Sequence, residues 1–205
     1  LWDIADPAAP VPWGDPLTGP ENLVRTAVIS PDGRSLVVAS ADSSIYAWDI
    51  ADPRAPIPTA VSGGHDAGVN AAAFGREGNV LVTGSDDHGV LMWDRDAAGN
   101  FTARPHPLRG HTGTVYSVSI TRDGTKAISG SDDGTIRLWD VSDAGAMREV
   151  GGPITDTGVG RWQVVFRPNG TVVAAGGDGV LRMWNLDAAA VAQRVCRSTS
   201  GRVSD

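Results

Sequence analysis

The stretch Ser129-Gly130-Ser131-Asp132-Asp133-Gly134-Thr135-Ile136-Arg137-Leu138-Trp139-Asp140 reads as the end of one strand, a tight turn and a whole second strand. Lys126 to Ser131 and Thr135 to Asp140 flank Asp132-Asp133-Gly134. Period-two patterning on both sides of an Asp-Gly turn is a strong hairpin signal. One step upstream, Val115 to Thr121 alternates apolar and small polar residues, and Arg122-Asp123-Gly124 turns the chain. A fourth, outer strand is expected in the looser stretch before the next unit, from Pro105 to Arg109.

This unit recurs. Trp2, Trp48, Trp93, Trp139 and Trp184 stand 46, 45, 46 and 45 residues apart, followed by Asp3, Asp49, Asp94, Asp140 and Asn185. The turns Pro31-Asp32-Gly33, Arg76-Glu77-Gly78, Arg122-Asp123-Gly124 and Pro168-Asn169-Gly170 occupy equivalent places. The linker Trp48-Asp49-Ile50-Ala51-Asp52-Pro53 nearly duplicates Trp2-Asp3-Ile4-Ala5-Asp6-Pro7. A fixed period of this length marks a repeat architecture in which each unit covers the apolar face of the next.

Composition narrows the class. The 205 residues suffice for one sizeable domain, and 26 Gly with 13 Pro supply the turns that short strands need. A net charge of -7 argues against nucleic acid, whose phosphates call for a basic stripe. The one cysteine, Cys196, cannot make an internal disulfide. No apolar run approaches the roughly 20 residues of a membrane span, and no secretory signal opens the chain, so a cytoplasmic setting without membrane contact is expected. Leu1-Trp2-Asp3 lies in the last strand of a unit, which predicts a piece of a longer polypeptide. Asn169-Gly170-Thr171 fits a glycosylation acceptor and also a turn, and with no export signal it reads as the turn.

Gly110-His111, Ser129 to Gly134 and Ile136 to Asp140, together with Gly64-His65, Gly84-Ser85-Asp86-Asp87 and Met92-Trp93-Asp94, resemble the WD-repeat family of β-propellers. The resemblance implies an all-β arc of four-stranded antiparallel blades. Residues 1–19 would hold the end of a preceding repeat and an outer strand, and 20–187 four repeats ending at Trp48, Trp93, Trp139 and Trp184. Residues 188–205 would form a short helix and tail, capped by Asp187, with Cys196 as a packing residue. Members of the family usually close with seven blades. Either this chain is an arc of a larger ring, which Leu1-Trp2-Asp3 favours, or Val11 to Gly19 completes the last blade and closes a ring of four.

The Asp-Pro linkers and Pro16-Leu17-Thr18-Gly19 resemble the C-terminal propellers of large bacterial, especially actinobacterial, signalling proteins. That likeness implies a non-enzymatic scaffold or sensor that binds a protein or peptide. The alternative is an intramolecular regulator of an upstream NTPase or kinase effector. A propeller enzyme ranks third, because it would need one non-repeating cluster of carboxylates and histidines at the channel mouth. No cofactor or metal is expected. Asp86-Asp87-His88 looks like a metal or hydrolytic set when isolated, but the same residue types recur once per repeat.

In the family a Trp, a Ser or Thr, a His and an Asp form a hydrogen-bonded chain within each blade. By that resemblance the full sets are His65, Ser85, Asp87, Trp93 and His111, Ser131, Asp133, Trp139. Partial sets are Ser40, Asp42, Trp48, with Pro20 where histidine belongs, and Asp178, Trp184, with Thr157 and Gly176 in the other places. Partner recognition is expected on one face, from Arg25, Asn70, Tyr116 and Trp162 at the entrances to the first strands. Ala41, Asp86, Asp132 and Gly177, before each tetrad aspartate, form a second row. His88 and His106 fall outside the frame and read as surface residues.

Overall fold

The computed structural model describes residues 1–155, 160–167, 171–176 and 179–185. Blade one is Val24–Ile29, Ser35–Ser40, Ile45–Asp49 and Ile57–Thr59, antiparallel and in chain order. Blade two is Val69–Phe74, Val80–Ser85, Val90–Arg95 and Phe101–Ala103, with Val61–Ser62 added in parallel to its outer edge. Blade three is Val115–Ile120, Lys126–Ser131 and Thr135–Asp140. Its outer position is shared by Arg148–Glu149 and Ile154–Thr155, which pair with opposite ends of Thr135–Asp140. Blade four shows Gln163–Phe166, Thr171–Ala175 and Leu181–Asn185. The first strands of successive blades lie side by side.

Alternation along each strand explains the stacking. A strand buried on both faces sends successive side chains into two different seams. Val37 and Ala39 of blade one pack with Val69, Leu81, Leu91, Trp93 and Phe101 of blade two. Leu36 and Val38, one residue out of step, pack instead with Trp48, Ile50, Leu1 and Leu17. Ala71, Val82 and Met92 meet Val115, Val118, Ala127 and Trp139 in the second seam. Ile128 and Ile136 meet Trp162, Val164, Val172 and Ala174 in the third. Each fully buried valine, leucine, isoleucine, phenylalanine or methionine among them contributes about 1.5–3 kcal/mol. The outward side of blade four exposes Val165, Leu181 and Met183.

One expectation is corrected here. The outer strand of blade two is Phe101–Ala103, ahead of the predicted Pro105 to Arg109. Asp96 and Asn100 close a tight turn, with Gly99 at φ 86°, so pairing resumes at once. Pro105 and Pro107 have no amide to donate, and within that stretch only Leu108 bridges, to Val90. Val11–Pro12 pairs with Trp2–Asp3 and not with blade four among the described residues, as the expected arc requires. The Asp6 carboxylate accepts the Ala8 amide and tightens the turn that folds Val11 back on Trp2–Asp3. The expected helix with Cys196, the turn at 168–170, Thr157, Gly177 and Asp178 lie outside the described residues.

Candidate functional site

Each central blade is fastened by a chain of donors and acceptors whose direction is fixed by chemistry. In blade two the Trp93 indole N–H donates to Thr83 Oγ1 at 2.8 Å, and His65 Nε2 lies 2.8 Å from that same oxygen. His65 Nδ1 lies 2.8 Å from Asp87 Oδ2. An indole only donates and a carboxylate only accepts, so the hydroxyl proton goes to Nε2 and the imidazole carries its proton on Nδ1. Blade three repeats the arrangement through Trp139, Ser129, His111 and Asp133, at 2.8, 2.8 and 2.9 Å.

The relay hydroxyls are therefore Thr83 and Ser129, ten residues before each tryptophan, and not Ser85 and Ser131. Both candidates on a strand share one face, because they differ by two positions. Trp93 pairs with Leu81, so Thr83 is its diagonal neighbour and Ser85 lies roughly 7 Å further along. Ser85 instead donates to Ala67 O at 3.0 Å and accepts the Asp87 amide at 3.0 Å. Ser131 and Ser40 accept the amides of Asp133 and Asp42 in the same manner.

Blade one is fastened differently. The relay position holds Val38 and the histidine position Pro20. Asp42 still accepts the amides of Glu21 and Ser44, at 2.9 and 3.1 Å, and takes the Tyr46 hydroxyl at 3.1 Å. Tyr46 stacks on Trp48 with ring centres 6.4 Å apart. In blade four Ala174 stands at the relay position, and Trp184 meets Trp162 edge-on at 6.3 Å.

Burial drives both imidazoles below the ordinary value of 6.5, against the opposing pull of Asp87 and Asp133. Burial would raise the Asp133 carboxyl, but hydrogen bonds from the Thr135 hydroxyl, the Thr112 amide and His111 outweigh it and hold it at about 2. Both shifts act in one direction. The unfolded chain binds more protons in each window, so stability is complete above pH 6.5 and is lost as pH falls. A first loss is expected below 6.5, from the histidines, and a second between 3.8 and about 2, from Asp133. Urea melts across this range should show His111→Gln flattening the upper step. An unchanged upper step would reject the neutral-imidazole arrangement.

The predicted recognition rows come together only in part. Arg25, Asn70 and Tyr116 are each the extra residue of a register shift at the entrance to a first strand, between Val24 and Thr26, Val69 and Ala71, and Val115 and Ser117. Together with Asp86, Arg161 and Gln163 they line a cleft of about 370 Å³ at the entrances to the first strands. Asn70 donates to Asp86 Oδ1 at 2.8 Å, and the Arg161 guanidinium lies 3.4 Å from the centre of the Tyr116 ring. Asp132 is exposed beside this region but turns toward Gly113 and does not line the cleft.

Trp162 is not on this face. It is 1% exposed, within the third seam. Gln163 to Phe166 pairs residue for residue with Ala175 to Val172, with no register shift, so counting a constant period from Tyr116 overshoots by one. One residue of slip turns a side chain to the other face. Arg161 and Gln163, its exposed neighbours, take the surface positions. His88 and His106 are both exposed.

The family model described as WD domain, G-beta repeat matches residues 15–49, 57–94, 103–140 and 152–185. No curated protein matches at a significant level. Among solved structures, one of U3-55K is similar with a TM-score of 0.66 and 24% identity, over 83% of this chain and 51% of that one. The crystal structure of RRP9 WD40 repeats is similar with a TM-score of 0.65 and 24% identity, over 82% and 49%. This chain thus spans about half the length of the solved chains it matches. At this identity the likeness shows the fold alone.

Proposed function

Because this chain belongs to the WD40 family of WD domain, G-beta repeat proteins, whose domains generally serve as protein-interaction scaffolds, we propose that it is a non-enzymatic platform binding a protein or peptide at the cleft of Arg25, Asn70, Asp86, Tyr116, Arg161 and Gln163. The carrying observation is a division of labour. His65, Asp87, His111 and Asp133 are consumed in holding blades, while the cleft residues Arg25, Asn70 and Tyr116 differ from blade to blade at equivalent register shifts. Rigid strands hold those side chains in place, so a partner gains contacts with little ordering cost. Tyrosine and arginine are the residue types enriched at interface centres.

The Asp-Pro linkers at Asp6-Pro7 and Asp52-Pro53 support a bacterial, cytoplasmic signalling setting. There the occupant is a separate protein or an upstream effector domain of the same polypeptide. Affinity capture from lysate with Tyr116→Ala and Arg161→Ala is expected to lose one specific partner that the wild type and Arg54→Ala retain. Unchanged capture by both cleft variants, with melting temperatures preserved, would reject this face.

A further inference from the structure

The far ends of the first strands hold a second, unassigned constellation. Arg76, Arg122 and Arg167 follow the first strands of blades two, three and four, two residues beyond Phe74 and Ile120 and one beyond Phe166. With Thr121 these six line one cleft of about 260 Å³. A six-residue strand spans roughly 20 Å, so this cleft sits at the opposite end of the first strands from that of Tyr116 and Arg161. We propose that it is a binding site for a phosphate ester on a partner polypeptide, best fitted by phosphotyrosine.

Three observations carry this. First, the three guanidiniums are exposed and make no ion pair with a described carboxylate, in a chain of net charge -7. Three other arginines are matched: Arg95 with Asp32 and Arg104 with Asp94 at 2.8 Å, and Arg137 with Glu149 at 2.7 Å. Second, the nearest acids do not neutralise the cluster. Asp123 is turned back on the Thr121 and Thr125 hydroxyls at 2.6 and 2.8 Å, and Glu77 is exposed beyond ion-pair distance of Arg76. Third, the floor is apolar: Phe74 and Phe166 are partly exposed around the buried Ile120.

The chemistry selects the ligand. A carboxylate offers one charge, whereas a phosphate monoester carries about −1.5 to −2 with three acceptor oxygens. Planar guanidiniums from three blades suit those oxygens, and each bond is charge-assisted. Inorganic phosphate would leave the apolar floor uncovered. An aromatic ring ahead of the phosphate covers it and contributes ring-to-ring contact with Phe74 and Phe166.

Calorimetric titration of the full chain tests the site. The probes are a short phosphotyrosyl peptide, its unphosphorylated form, inorganic phosphate and a single-stranded oligonucleotide. The phosphopeptide is expected to bind at least tenfold more tightly than the other three. Arg122→Gln should weaken it at least tenfold, Arg122→Lys less, and Arg54→Gln not at all. Tyr116→Ala is expected to leave this binding unchanged, so its outcome is separate from that of the opposite cleft. Equal binding of the unphosphorylated peptide, of inorganic phosphate or of the oligonucleotide would overturn the proposal. So would phosphopeptide affinity unchanged in Arg122→Gln.

Discussion

Thr83→Val is expected to lower the unfolding free energy by about 2–4 kcal/mol, a larger loss than Ser85→Ala. The substitution keeps the shape and removes one oxygen. Thr83 is fully buried, so the Trp93 N–H and His65 Nε2 would both lose their partner where water does not reach. Each orphaned buried polar group costs about 1–3 kcal/mol. Ser85→Ala forfeits only two hydrogen bonds at the mouth of a turn. Ser129→Ala should behave as Thr83→Val does, with Ser131→Ala milder. Midpoints in urea, compared at constant slope, give the ranking. If Ser85→Ala proves the more damaging, the serine two places on is the relay and the fastening described for the central blades is wrong.

Gly130→Ala is expected to cost about 3 kcal/mol, at the upper end for overpacking, and to resist rescue. A Cβ on Gly130 would lie 2.6 Å from the Trp162 carbonyl oxygen, and backbone cannot be trimmed. Gly84 holds the equivalent place in blade two, but there a Cβ would meet the Val115 side chain, at 2.5 Å from Cγ1. Gly84→Ala should therefore cost less when Val115→Ala is also present, with a favourable coupling of about 1 kcal/mol. Gly130→Ala combined with Trp162→Ala should show no such relief. Equal coupling in the two double-mutant cycles would show that the seams between blades two, three and four do not close as described.

Much of this was legible along the chain. The spacing of Trp48, Trp93, Trp139 and Trp184, the alternating strands and the Asp-Gly turns are local properties, and each blade boundary follows from them. The aspartates six residues before Trp93 and Trp139 do receive the histidines, because that contact lies within one repeat. Tyr46 was missed, since nothing in the period announces that a phenol two residues before Trp48 will take Asp42 where Pro20 replaces histidine. Arg161 was missed for a different reason: the register shift of the three preceding blades is not found in the fourth.

By itself, then, the sequence determined the unit, its three inner strands and its turns, written in side-chain alternation and glycine placement over a few residues, and the number of repeats, written in the tryptophan period. Only the tertiary structure decided which hydroxyl reaches an indole, whether Trp162 faces solvent or a seam, and which arginines share a cleft. Those outcomes depend on distances between strands and between blades. A single residue of register, invisible to composition or period, reverses the face that a side chain presents.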